Sequence, residues 1–82
     1  MKKTDNPILQ AWLETLVSNG WSETSPRRWE YQKGAWFLSF DTSRWMELGT
    51  ENNPRVKDVE VPDSQTDFQA TLDEIERLLR KA

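Results

Sequence analysis

Neither cysteine nor histidine occurs in this 82-residue chain, and glycine appears only three times. Without cysteine there can be no disulfide framework and no thiolate metal site, the two devices on which small secreted domains lean. A cytoplasmic setting is therefore the expectation. Without histidine the chain lacks the side chain that titrates near neutral pH, and with it every imidazole-based triad and the common zinc sites. Gly20, Gly34 and Gly49 lie too far apart in sequence to form a phosphate-cradling loop. No lysine or terminal amine stands near Ser39, Thr42 or Ser43 in sequence to serve as base for a hydroxyl nucleophile. Long apolar runs are missing as well: nothing approaches the roughly 18 consecutive apolar residues of a membrane span. The start, Met1-Lys2-Lys3-Thr4, is basic like that of a signal peptide, but Asp5, Asn6, Gln10 and Glu14 interrupt the apolar stretch that should follow, so no secretion signal is expected. Positive charge is scarce too. The formal charge is −3, and residues 41–82 carry ten acidic against six basic side chains. A nucleic-acid binder normally presents the opposite balance.

What the chain does have is aromatic rings: five Trp, three Phe and one Tyr. Each buried ring removes about 150 to 250 Å² from water, so nine of them can build a core in a domain whose hydrophobic share is only 35%. One domain is expected, because folding a chain this short already removes only about 60% of its surface from water.

Ile8, Leu9, Trp12, Leu13, Leu16 and Val17 recur at the spacing of one helical stripe. Asn6 is placed to cap that helix, Pro7 suits its first position, and Asn19-Gly20 ends it, with Trp21 folding back onto Leu16 or Val17. Phe68, Leu72, Ile75, Leu78 and Leu79 mark a second helix, for which Thr66 and Gln69 form a candidate capping box. Asp67 at its start and Arg77, Arg80 and Lys81 at its end agree with the helix dipole.

Between the helices, Trp29–Gln32 and Ala35–Phe40 flank Lys33-Gly34 and read as a hairpin with a two-residue turn. That register sets Tyr31 opposite Trp36 and Trp29 opposite Leu38. These four and Phe40 share the core face, leaving Arg28, Glu30, Phe37 and Ser39 on the other. A third strand covers Trp45 to Leu48; a three-residue connection puts Met46 and Leu48 inside and turns Trp45 and Glu47 outward. Val56 to Val61 is a candidate edge strand ended by Pro62. The fold class is thus α+β, an N-terminal helix, an antiparallel sheet of three to four strands and a C-terminal helix, with both helices on one face.

That order resembles the double-stranded RNA-binding domain, whose basic start to the second helix is here replaced by Asp63, Asp67, Asp73 and Glu74. The loop after the second strand lacks that family's Gly-Pro and His, so RNA is not the expected partner. Asp58 and Glu60 share one strand face and could hold a divalent cation weakly, but the acidic runs read first as solvated surface. No enzyme activity, metal or cofactor is expected.

The expected function is protein interaction, with another protein or with a second copy, through the open sheet face at Phe37, Trp45, Arg28 and Glu30. Trp and Arg are the residue types enriched at the energetic centres of interfaces. Two further readings are a single-strand nucleic-acid binder using exposed aromatics with Arg27 and Arg28 on phosphates, and an enzyme working with carboxylates alone.

Overall fold

A computed structural model describes residues 3–24, 29–42 and 44–81. Helix α1 spans Pro7–Ser18, and the Asn6 side chain accepts from the amides of Ile8 and Leu9, as its position before Pro7 implies. At the other end Trp21 N–H donates to Leu16 O and Gly20 N–H to Val17 O. This paired closure brings the Trp21 indole back beneath the helix, where it is buried with Leu16. Val17, counted in the apolar stripe, instead faces solvent, because the sheet lies under Leu9, Trp12, Leu13 and Leu16.

Five strands follow: β1 (Ser22–Glu23), β2 (Glu30–Lys33), β3 (Trp36–Phe40), β4 (Trp45–Thr50) and β5 (Lys57–Glu60). They form one antiparallel sheet in the order β1-β2-β3-β4-β5. The candidate edge strand is therefore real as β5, and β1 is an addition to the expected count. The β2–β3 turn differs by one residue from the expectation. It is centred on Gly34-Ala35, so that Tyr31 faces Leu38 and Lys33 faces Trp36. Gly34 takes φ +61 at the first turn position, a conformation that costs glycine little and that Lys33 would resist. Which side chains point inward is unchanged, since moving the loop by one residue shifts the pairing by two and preserves parity. Tyr31 and Leu38 are buried, while Trp29, Trp36 and Phe40 pack half-buried against them. From β4, Met46 and Leu48 point into the core, and Asp41 N–H donates to Trp45 O, as a three-residue connection requires.

Helix α2 spans Phe68–Lys81 and is preceded by a 3₁₀ turn, Gln65–Asp67. Thr66 is not its cap. The Ser64 side chain accepts from the Thr66 amide, and the Gln69 side chain donates to Asp73 instead of reaching back to a cap. Leu72 and Ile75 of α2 complete a core with the buried α1 residues, so both helices lie on one side of the sheet. Lysines stitch that side together: Lys33 to Glu76 at 2.7 Å, Lys57 to Glu74 at 3.8 Å, and Lys3 to Glu23.

Tyr31 adds a pH dependence. Burial first, then the charge of Glu23 and its hydrogen bond to the phenol, push Tyr31 up from 10.0 to about 12. An ionised phenol is thus tolerated better by the unfolded chain. The resulting stability is intact below pH 10 and is lost as pH climbs from about 10 to about 12. Urea midpoints measured across that window should fall for the parent and fall less steeply for Tyr31→Phe. Equal slopes would mean that other groups account for the loss.

Candidate functional site

With the helices confined to one side, the other face of the sheet is open to water. Alternation along the strands places Glu30 and Gln32 of β2, Phe37 and Ser39 of β3, Trp45 and Glu47 of β4, and Asp58 and Glu60 of β5 on it. Three of the four sequence-derived candidates, Glu30, Phe37 and Trp45, do lie on this face; Arg28 falls outside the described residues. The two aromatics are not neighbours, however. Phe37 pairs with Gly49, and Gly49 is four residues along β4 from Trp45, which separates the rings' strands positions by about 13 Å at ~3.3 Å per residue. Sharing a face is set by parity alone, whereas adjacency needs the register between strands.

The two rings also differ in exposure. Phe37 is half-buried, whereas Trp45 keeps 46% of its surface exposed. Trp45 has a carboxylate on each side: Glu60 is its cross-strand partner on β5, and Asp41 stands opposite it at the start of the turn. Among the described residues no ion pair or hydrogen bond holds either of these carboxylates. The sequence pairs Glu60 with Asp58 but sets neither Glu60 nor Asp41 beside Trp45, because their approach to that ring depends on the β3–β4 turn and the β4–β5 register together.

Behind Trp45 runs a polar row, Glu30–Ser39–Glu47–Asp58, one residue from each of four adjacent strands. Glu30 accepts from Thr24 at 2.9 Å and from Ser39 at 3.3 Å. Arg55 reaches in from the β4–β5 loop, ion-paired to Glu47 and 3.6 Å from Asp58. Hydrogen bonding and charge from Glu47, then the charges of Asp58 and Asp41, raise the pKa of Arg55 above its ordinary value. Among the described residues, the face therefore carries five carboxylates, Glu30, Asp41, Glu47, Asp58 and Glu60, against the single guanidinium of Arg55. Lys3, Lys33 and Lys57 are paired on the opposite side.

Asp58 and Glu60 share the face, as their spacing implied, but among the described residues no group of three or more acidic side chains is placed to hold a metal ion. No helix among the described residues is long and apolar enough to cross a membrane. Comparisons with protein-family models, with curated proteins and with solved structures return no match to this chain.

Proposed function

We propose that this chain is a non-enzymatic protein-interaction domain whose open sheet face docks a basic surface of another protein. The observation that carries this reading is Trp45, exposed between the carboxylates of Asp41 and Glu60, which have no ion pair or hydrogen bond among the described residues, on a face whose described residues carry net negative charge. A tryptophan flanked by carboxylates suits a guanidinium that stacks on the ring and pairs at its edge. The surrounding charge would steer a cationic partner toward the face and penalise an anionic one. Among the described residues, phosphate finds no counter-charge on this face apart from Arg55, and Trp29, Tyr31 and Trp36 are turned to the helices, which speaks against stacking on single-stranded bases.

An oligoarginine peptide, followed by fluorescence anisotropy at several salt concentrations, tests the reading. Trp45→Ser leaves the net charge unchanged and should weaken binding about thirtyfold if the ring is an interfacial hot spot worth roughly 2 kcal/mol. Asp73→Asn, a charge removed from α2, should bind as the parent does. Equal affinities for the parent and Trp45→Ser would reduce the attraction to bulk charge and sink the docking site; tight binding of a single-stranded oligonucleotide at physiological salt would favour the nucleic-acid reading instead.

A further inference from the structure

Strand β5 pairs with β4 on one side and, among the described residues, with nothing on the other. Val61 N–H donates to Arg44 O at 2.7 Å, and in an antiparallel pair the residues that bond across the ladder alternate with residues that point away from it. Val59 and Lys57 therefore turn their backbone groups toward β4, and Asp58 and Glu60 turn theirs outward. Among the described residues nothing bonds to those two amides or to those two carbonyls. Pro62, the next residue of the same parity, has no N–H and closes the row. The edge thus offers a donor and an acceptor at each of two positions, under exposed acidic side chains.

An unpaired strand edge accepts another extended chain. Here charge decides which. Asp58 and Glu60 form the hydrogen-bonded pairs of any added antiparallel strand, and on the open face their side chains stand directly opposite those of the newcomer. A second copy of β5 would set Asp58 against Glu60, Asp58 against Asp58 or Glu60 against Glu60 in any register that pairs these residues with each other. Carboxylates directly opposite one another are destabilising, so the edge rejects its own copy. Lys or Arg at those two positions makes both pairs attractive. The residue between them falls beside Val59 on the helix side, where Val59 is only 2% exposed, so a small apolar side chain suits it.

We infer that β5 is the docking edge for an extended basic segment of a partner protein, which joins the sheet as a sixth strand with Lys or Arg opposite Asp58 and Glu60. The inference rests on the reading of the open face as the surface that meets a basic partner, and it gives that partner its conformation. The position opposite Glu60 lies two strand spacings from Trp45, about 10 Å at ~4.8 Å each. An arginine there leans across Glu60 to the exposed ring, so one added strand satisfies both the edge and the face.

The probe is the capped peptide acetyl-Thr-Arg-Val-Arg-Thr-amide, titrated into the ¹⁵N-labelled chain. The Asp58 and Glu60 amides should shift downfield saturably and exchange with solvent more slowly, while those of Lys57 and Val59, already turned to β4, move less. Methylating both arginine backbone nitrogens of the probe removes the donors to the Asp58 and Glu60 carbonyls and should weaken binding about tenfold, two hydrogen bonds being lost. Methylating the valine nitrogen, which faces away from β5, should leave binding unchanged. A probe with glutamine in place of both arginines should bind a few-fold more weakly, as should Glu60→Gln with the parent probe. Unchanged exchange at Asp58 and Glu60 in the saturated complex, or full affinity of the arginine-methylated or glutamine probe, would each overturn the inference. Protection of those amides that grows with protein concentration in the absence of probe would also overturn it, by assigning the edge to a second copy. Trp45→Ser separates the two readings. Parent-like binding with Asp58 and Glu60 protected would keep the strand and remove the ring from docking; weakened binding with those amides unprotected would keep the face and overturn the strand.

Discussion

Replacing Trp12 by alanine is expected to leave the chain unfolded in dilute buffer at room temperature. Trp12 has no solvent-exposed surface. Its ring meets Phe68 at 5.4 Å and 54°, and its indole N–H points at the Met46 sulfur at 3.4 Å. One side chain thus ties α1 to the start of α2 and to the middle of the sheet. Truncating a buried Trp costs about 3 to 5 kcal/mol, because the cavity cannot collapse where three elements meet. A domain of 82 residues has about 4 to 12 kcal/mol of total stability at 0.05 to 0.15 kcal/mol per residue. The loss is therefore comparable to the whole. Circular dichroism with urea titration should show no cooperative transition for Trp12→Ala. Trp36→Ala provides the contrast: Trp36 sits half-buried at the hairpin tip opposite Lys33 and Thr50, away from Tyr31, and should cost less and still melt cooperatively. If the two variants ranked the other way, the β2–β3 turn would be centred on Lys33-Gly34 after all.

The contrast between those two tryptophans shows which kinds of information a sequence carries. Helix positions were legible because the 3.6-residue period and the caps are local: Asn6, Pro7 and the Asn19-Gly20 end place α1 without reference to the rest of the chain. Strand faces were legible for a similar reason, since alternation alone turns Trp29, Tyr31, Leu38 and Met46 to one side. Quantities that depend on two segments at once were not. Strand β1 is two polar residues whose strand character comes entirely from pairing Ser22 with Gln32 and Glu23 with Tyr31. Ser64 and Thr66 are both chemically able to cap, and the choice between them is made by a 3₁₀ turn that no spacing rule marks. At the open face the outward turn of Trp45 followed from parity, whereas its flanking by Asp41 and Glu60 and its distance from Phe37 needed the cross-strand register.

Gly49→Ala is expected to destabilise the domain although alanine is small. Gly49 is buried on β4, and a Cβ built there would stand 2.3 Å from Pro54 O, 2.4 Å from Pro54 C and 2.6 Å from Asn53 O. All three are backbone atoms, so the relief available to a flexible side chain is absent. The crowding follows from the hairpin's geometry. Its tip closes with paired hydrogen bonds between Thr50 and Asn53, at 2.8 and 3.2 Å, while regular pairing begins only at Leu48↔Lys57. The extra residues must bulge out of the ladder, and they lie across Gly49 on the open face. Val56 N–H then returns to Leu48 O at 2.8 Å. The same bulge carries Arg55 to Glu47 and Asp58, so the close approach of the loop to Gly49 sets where Arg55, the one cation among the described residues of that face, sits. Forcing the loop away should cost about 1 to 3 kcal/mol, the usual range for overpacking. Denaturant midpoints should fall accordingly, and hydrogen exchange at the Val56 amide should quicken beyond the global change. Arg55→Ala separates the two effects, since loss of an exposed ion pair alone should leave the midpoint close to the parent's. Parent-like stability in Gly49→Ala would mean that the loop moves aside at little cost, and that close approach to Gly49 does not fix the position of Arg55.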